Sequence, residues 1–240
     1  MMARREFGFA VLAFTASLAG CDVNSPAMSY IWQQPHYAKL TAKVETPEGV
    51  KSGFSVIEVK WDKAGRGYNV KGDAVAVDLP KGETLFVLLR SQSSVDWPAY
   101  LHQIVKLENS PEDQALYYNR IAANRTIWPV PRTKEYFGNR EEHENYPYFV
   151  RFKNIADPKS VEQVDPDDLA KSFGPGYRLK SLTVQMTDEA VTVGIEKRLG
   201  WLESVGLERT TLIPNPPKFL DETQPVQLIK SSDFSTELYK

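Results

Sequence analysis

The sequence predicts an α+β fold, mostly antiparallel β-sheet with two or three helices packed on one face. A helix-decorated β-sandwich is the alternative. Three observations lead there. Two hairpin patterns follow one another in the amino-terminal half, each with proline and glycine in its turn. A long alternating run occupies Tyr177–Thr187. Helix-start signatures stand at Ser110–Asp113 and Asp165–Asp168. Sheet elements come first and helices later, the order expected when helices segregate against an antiparallel sheet.

The first strand is Tyr37–Glu45. Leu40, Ala42 and Val44 fall on one side at period two, with Thr41, Lys43 and Glu45 opposite, as in a half-buried strand. Thr46-Pro47-Glu48-Gly49 is a turn, because proline presets φ and glycine accepts a left-handed exit. Val50–Trp61 returns as the second strand. The second hairpin pairs Gly72–Leu79 with Glu83–Arg90 across Pro80-Lys81-Gly82. Its second run, with Leu85, Phe86, Val87, Leu88 and Leu89, is apolar on both sides, which predicts a central strand. Tyr100–Leu107 fits a short strand or a helical turn.

Ser110 as cap, Pro111 at the first helical position and the acids after it predict a helix running to about Asn124. Residues 125–147 are irregular, too long a stretch for an ordinary connection, and so a candidate recognition surface. Tyr148–Lys153 reads as a short strand. A short helix follows Asp165 through Phe173 and is stopped by Gly174-Pro175-Gly176. In Tyr177–Thr187, Leu182, Val184 and Met186 form the core side. From Val191 the pattern is mixed: valines favour strand, then Ile195, Leu199 and Leu202 share one side of an amphipathic helix up to Val205. Prolines 214, 216 and 217 end regular structure, and the polar composition of 214–240 predicts a loosely held tail. The expected organisation is 1–20 leader, 21–36 tether, 37–213 single domain and 214–240 tail.

Composition excludes several classes. The 240 residues hold 31 acidic and 29 basic side chains, a formal charge of -2, without the basic excess of a nucleic-acid binder. Charged residues at 25% and hydrophobic ones at 42% describe a folded, water-soluble body. One cysteine excludes an intramolecular disulfide.

That cysteine stands at an informative place. Arg4 and Arg5 precede an uncharged apolar run, Phe7–Gly20, in the order of a secretory signal. Leu18-Ala19-Gly20-Cys21 resembles the lipobox of bacterial lipoproteins. The resemblance implies cleavage before Cys21, diacylglycerol on its thiol and an acylated, palmitate-type amino terminus. The alternative is an ordinary secretory leader. Acyl chains contribute roughly 0.8 kcal/mol per buried CH₂, so two or three hold a protein at a bilayer. Asp22 resembles an inner-membrane retention signal, and the choice between inner and outer membrane stays open.

Three further stretches carry a second resemblance: Leu40–Val56 (LTAKVETPEGVKSGFSV), Val161–Thr187 with VDPDDLAKSFGPG and LKSLTVQMT, and Val191–Leu202 (VTVGIEKRLGWL). Together they resemble an uncharacterised family of proteobacterial proteins often predicted as lipoproteins. The resemblance implies one coherent module and brings no activity or substrate. Gly200 departs from it, since the family pattern tends to have proline before Trp201.

Chemistry-bearing patterns are sparse. The three histidines, His36, His102 and His143, are far apart, and no HExxH, CxxC pair, EF-hand loop, GxSxG or phosphate loop occurs. Glu141-Glu142-His143-Glu144 is a ligand set by composition or a solvated acidic loop. Asp165, Asp167 and Asp168 suit a hard cation or a helix amino end. Trp128, Tyr136 and Trp201 are the candidate partner or ligand contacts, against a packing role for each. No cofactor, metal site or catalytic residue is expected.

These readings predict a lipid-anchored periplasmic protein, in contact with membrane lipid through acylated Cys21, with a noncatalytic binding or envelope-structural role. An envelope protein partner is allowed and nucleic acid is not. A periplasmic hydrolase using His102 or His143 and a small-ligand carrier are the alternatives.

Overall fold

The computed structural model describes residues 35–61, 68–92, 97–107, 114–132, 146–206, 211–213, 218–219, 221 and 223–239. Leader, tether residues before Pro35, the Ser110 cap and most of the irregular 125–147 stretch lie outside them. Strands β1 (His36–Thr46), β2 (Gly49–Trp61) and β3 (Tyr68–Lys71) form a meander. Strands β4 (Val75–Asp78) and β5 (Thr84–Ser91) form the second hairpin. Then come β6 (Trp128–Pro129), β7 (Pro147–Phe152), β8 (Val161–Gln163) and β9 (Arg178–Met186). Among the described residues four short α-helices are interspersed: α1 (Gln114–Ala123), α2 (Leu169–Phe173), α3 (Leu202–Gly206) and α4 (Pro225–Leu228). The molecule is mostly antiparallel β-sheet with a few helices. Among the described residues no helix is long and apolar enough to cross a membrane.

The strands make two sheets, where the first reading of the sequence expects one and its alternative, a sandwich, expects two. The five-stranded sheet has the order β3-β2-β1-β9-β6 and the four-stranded sheet β4-β5-β7-β8. Local periodicity names strands without naming their partners, so the split was invisible in it. β9 returns from the carboxyl half to pair with β1, with Leu40 opposite Val184 and Ala42 opposite Leu182.

Alternation then builds the core. Ala38, Leu40, Ala42 and Val44 of β1 share one apolar cluster with Leu182, Val184 and Met186 of β9. Val75, Val77, Leu85, Val87 and Leu89 enter that cluster from the second sheet. The opposite side of the second sheet, with Phe86, Leu88, Tyr148, Val150 and Phe152, makes a second cluster with Ile195, Leu199, Leu202, Leu212, Ile229 and Phe234. β5 is therefore covered on both faces, and all eight of its residues are buried. That is the physical reason for its unbroken apolar run. Helical residues enter both clusters: Ile121 and Leu169 the first, Leu202 the second.

Several local expectations need revision. Leu179 is half-buried against the first cluster although plain alternation puts it outside. A register shift between Lys43 and Val44 brings Leu179 opposite Val44, and such a bulge changes which side a residue faces. The amphipathic helix from Ile195 to Val205 is two pieces, a 3-10 turn at Ile195–Lys197 and then α3, with Gly200 at the break. Glycine is a poor helix former. The described end of the tail, expected to be loosely held, is instead packed: Phe234 and Ile229 are fully buried. Backbone bonds from Ala74 N to Phe234 O (2.7 Å) and Thr236 N to Gly72 O (3.1 Å) tie it to the start of β4. Ile229 and Phe234, with Val226, Leu228 and Leu238 packed beside them, dock it, and composition averages these scattered apolar side chains away.

Candidate functional site

Among the described residues, Trp128 and Trp201 pack against different apolar clusters. Cys21, Tyr136 and His143 lie outside the described residues. Trp128 sits in the two-residue strand β6, opposite Val184, and packs against the first cluster. Its indole nitrogen is buried without a hydrogen-bond partner among the described residues. Trp201 is held differently. Its Nε1 donates to Ile155 O at 2.9 Å, and its ring meets Phe152 and Phe234 edge-on at 5.5 and 5.9 Å between centroids. The side chain is engaged on both its polar and its apolar parts.

The aspartates serve the backbone. Asp168 Oδ1 accepts from Lys171 N at 3.2 Å, Asp165 Oδ1 from Asp167 N at 2.8 Å, and Asp157 Oδ1 from Lys159 N at 2.9 Å. Asp167 pairs with Arg132, whose guanidinium lies 3.9 Å from the Tyr146 ring centroid. Among the described residues, no group of three or more His, Cys, Asp or Glu side chains is placed to hold a metal ion.

Two histidines distant in sequence do meet. His36 opens β1 on its inward side, and its ring lies 5.8 Å from that of His102, edge to face. His102 belongs to a 3-10 helix, Trp97–Gln103, and Tyr68 flanks it at 6.4 Å. Burial holds the His36 imidazole below its usual range, because a charged ring loses water there. A hydrolytic site at this pair would further require a nucleophile and an orienting acid held against the base.

The second cluster contains the charges that sequence reasoning missed. Alternation puts Arg90 on the same side of β5 as Phe86 and Leu88. There its Nη1 donates to Leu228 O at 2.9 Å and lies 3.5 Å from Asp233 Oδ2. Asp233 also accepts from Lys230 N at 2.8 Å. Desolvation pushes the Asp233 carboxyl up, against the pull of Arg90, and pushes the nearby Tyr148 phenol up to about 12. Asp73, 1% exposed, accepts from Ile195 N at 2.9 Å through Oδ2, while Oδ1 has no hydrogen-bond partner among the described residues. Burial raises its carboxyl too, and the Ser235 hydroxyl and Ile195 N–H draw it partly back. The available signal was a charge set inside an apolar run, as in ETLFVLLR and GDAVAV.

Arg90 and Asp233 join the C-terminal segment to the second sheet, and Asp73 joins the Ile195 turn to the residues just before β4. Their arrangement fastens elements together.

The comparisons add nothing to set beside this geometry: no protein-family model, no curated protein and no solved structure matches the chain.

Proposed function

We propose that the chain is a lipid-anchored protein of the bacterial cell envelope, facing the periplasm, whose β-rich body is a noncatalytic binding or structural module. One observation carries the reading. The sole cysteine among 240 residues follows Leu18-Ala19-Gly20 directly, behind an uncharged apolar run and two arginines. Such a thiol is the acceptor for diacylglycerol, and the chains it brings make a membrane anchor without a spanning helix. The structural employment of Arg90, Asp233, Asp73 and Asp168 supports a body built for persistence. The body is read as a helix-decorated β-sandwich, with the second sheet between the first and the C-terminal elements. Its first strand begins at His36, close after the proposed anchor.

The test is the intact mass of protein purified from bacterial membranes, with labelled palmitate incorporation alongside. The expected result is a chain beginning at Cys21 with diacylglycerol and an amide-linked acyl group. Cys21→Ser should abolish labelling and leave the leader uncut. A mature terminus elsewhere, or an unmodified thiol, overturns the anchor.

A further inference from the structure

We propose that the outer face of the five-stranded sheet is a docking surface for an anionic bilayer, an inference that rests on Cys21 being the anchor. The second sheet has an apolar cluster on each side, whereas the first sheet has its cluster on the inner side. Alternation fixes the outer residues. Thr41 stands beside Phe54 and Thr183, Lys43 beside Ser52 and Ser181, and Glu45 beside Val50 and Arg178. On this polar face Val50, beside the hairpin turn, and Phe54 are large apolar side chains left 50% and 51% exposed. Lys39 Nζ lies 4.2 Å from the Phe54 ring centroid, so a base and an apolar ring are presented together. That pairing suits a headgroup layer, where phosphates lie above acyl carbon.

Charge favours the same occupant. Lys39, Lys43, Lys60, Lys71, Arg178 and Lys180 belong to this face, against Glu45, Glu58 and the adjoining Glu189. Glu58 pairs with Lys71, Glu189 with Lys39, and Glu45 with Arg178 and Lys180, which leaves a basic surplus. The chain as a whole carries -2, so this surplus is segregated and not a general excess. Bases near an anionic leaflet each strengthen attachment by about fivefold.

Chain length permits the pose. From Cys21 to His36 the chain can extend to about 50 Å at ~3.3–3.6 Å per residue. β1, with 11 residues, is about 36 Å long at ~3.3 Å per residue. The tether exceeds the length of the strand, so the sheet can lie along the bilayer instead of standing on its end.

The experiment uses the full protein purified from membranes and reconstituted into phosphatidylcholine vesicles with or without phosphatidylglycerol. The rate of amine acetylation at Lys39, Lys43, Lys60 and Lys180 is read by mass spectrometry. The expected result is several-fold slower labelling only where phosphatidylglycerol is present. Lys43→Glu and Phe54→Ser, both at exposed positions, should each lose most of that protection while unfolding at the wild-type temperature. Equal rates on both vesicles overturn the proposal. Protection in native membranes but on neither vesicle assigns the face to a protein partner and likewise overturns it. Intact mass of the same sample reads acylation independently. An unmodified Cys21 fails the anchor, and phosphatidylglycerol-dependent protection of that unanchored chain still supports the face.

Discussion

Arg90 and Asp233 form an ion pair inside the second apolar cluster, at 3.5 Å, with side chains only 6% and 4% exposed. One comes from the central strand β5 and the other from the C-terminal segment, so the pair joins the two. Removing one partner of a buried pair leaves the other charge without compensation, which typically costs about 3–5 kcal/mol. Asp233→Ala should therefore lower stability by roughly 3 kcal/mol. Arg90→Met combined with Asp233→Ala should recover part of the loss, because no lone charge remains. Urea unfolding midpoints of the two single variants and the double variant measure this, and near-additive losses would deny the coupling.

Asp73 gives a pH dependence of definite sign. Its carboxyl is raised above 3.8 by desolvation, so the folded state favours the protonated form. The associated stability is fully present below the unfolded value of 3.8 and is lost as pH rises through the raised folded value. Asp73→Asn keeps an acceptor for Ile195 N–H and removes the charge. The variant should match the wild type in acid and gain on it progressively toward neutrality. Denaturant midpoints measured across that range check it; a constant offset at every pH contradicts the assignment.

The two strongest sequence signals were turn chemistry and alternation, and both describe neighbours along the chain. The first hairpin shows this: Gly49 takes the left-handed conformation expected of it, with φ 105, and Ala42 lies opposite Gly53. The apolar run of β5 and the core side of β9 were legible in the same way. Pairing between distant strands was not, because Leu40 carries no mark of Val184. Nor were the short strands β3, β6 and β8, whose few residues hold too little pattern. At the candidate site, capping by Asp168 was legible from its position before Leu169. The buried Asp73 and Arg90 were hidden because their partners are elements far along the chain. Three stretches separate in the sequence, Leu40–Val56, Val161–Thr187 and Val191–Leu202, adjoin in the fold: Gly176 lies against Pro47, and Thr192 N donates to Val56 O at 3.0 Å.

Gly53 belongs to the first of those stretches and has a steric reason to be glycine. A Cβ there would stand 2.0 Å from Ala76 O, a backbone atom of the neighbouring sheet. No rotamer relieves a clash with main chain, so Gly53→Ala must displace β2 from β4. A loss of about 2 kcal/mol or more is expected, within the upper range for overpacking. Gly200→Ala is the control, since nothing lies within 4 Å of its Cβ position. It should be neutral or stabilising by a few tenths of a kcal/mol, through lower entropy of the unfolded chain. Thermal unfolding of both variants tests the contrast, and equal shifts would remove the close-approach argument.

His36 has the opposite sign to Asp73. Burial lowers its imidazole below 6.5, so the folded state favours the neutral ring. Its contribution to stability is present above 6.5 and is lost as pH falls through that value toward the lowered one. The His102 ring, 5.8 Å away, and Tyr68 and Tyr100 on the adjoining elements share this environment. Protonation there places a charge against the 3-10 helix Trp97–Gln103 at the first residue of β1, and that end of the strand should open first in mild acid. His36→Phe retains the ring and cannot be protonated. It should show less acid destabilisation below 6.5 than the wild type, with slower amide exchange at Tyr37 and Ala38. Nuclear magnetic resonance titration of the His36 ring supplies the direct check: a midpoint at or above 6.5 defeats the prediction.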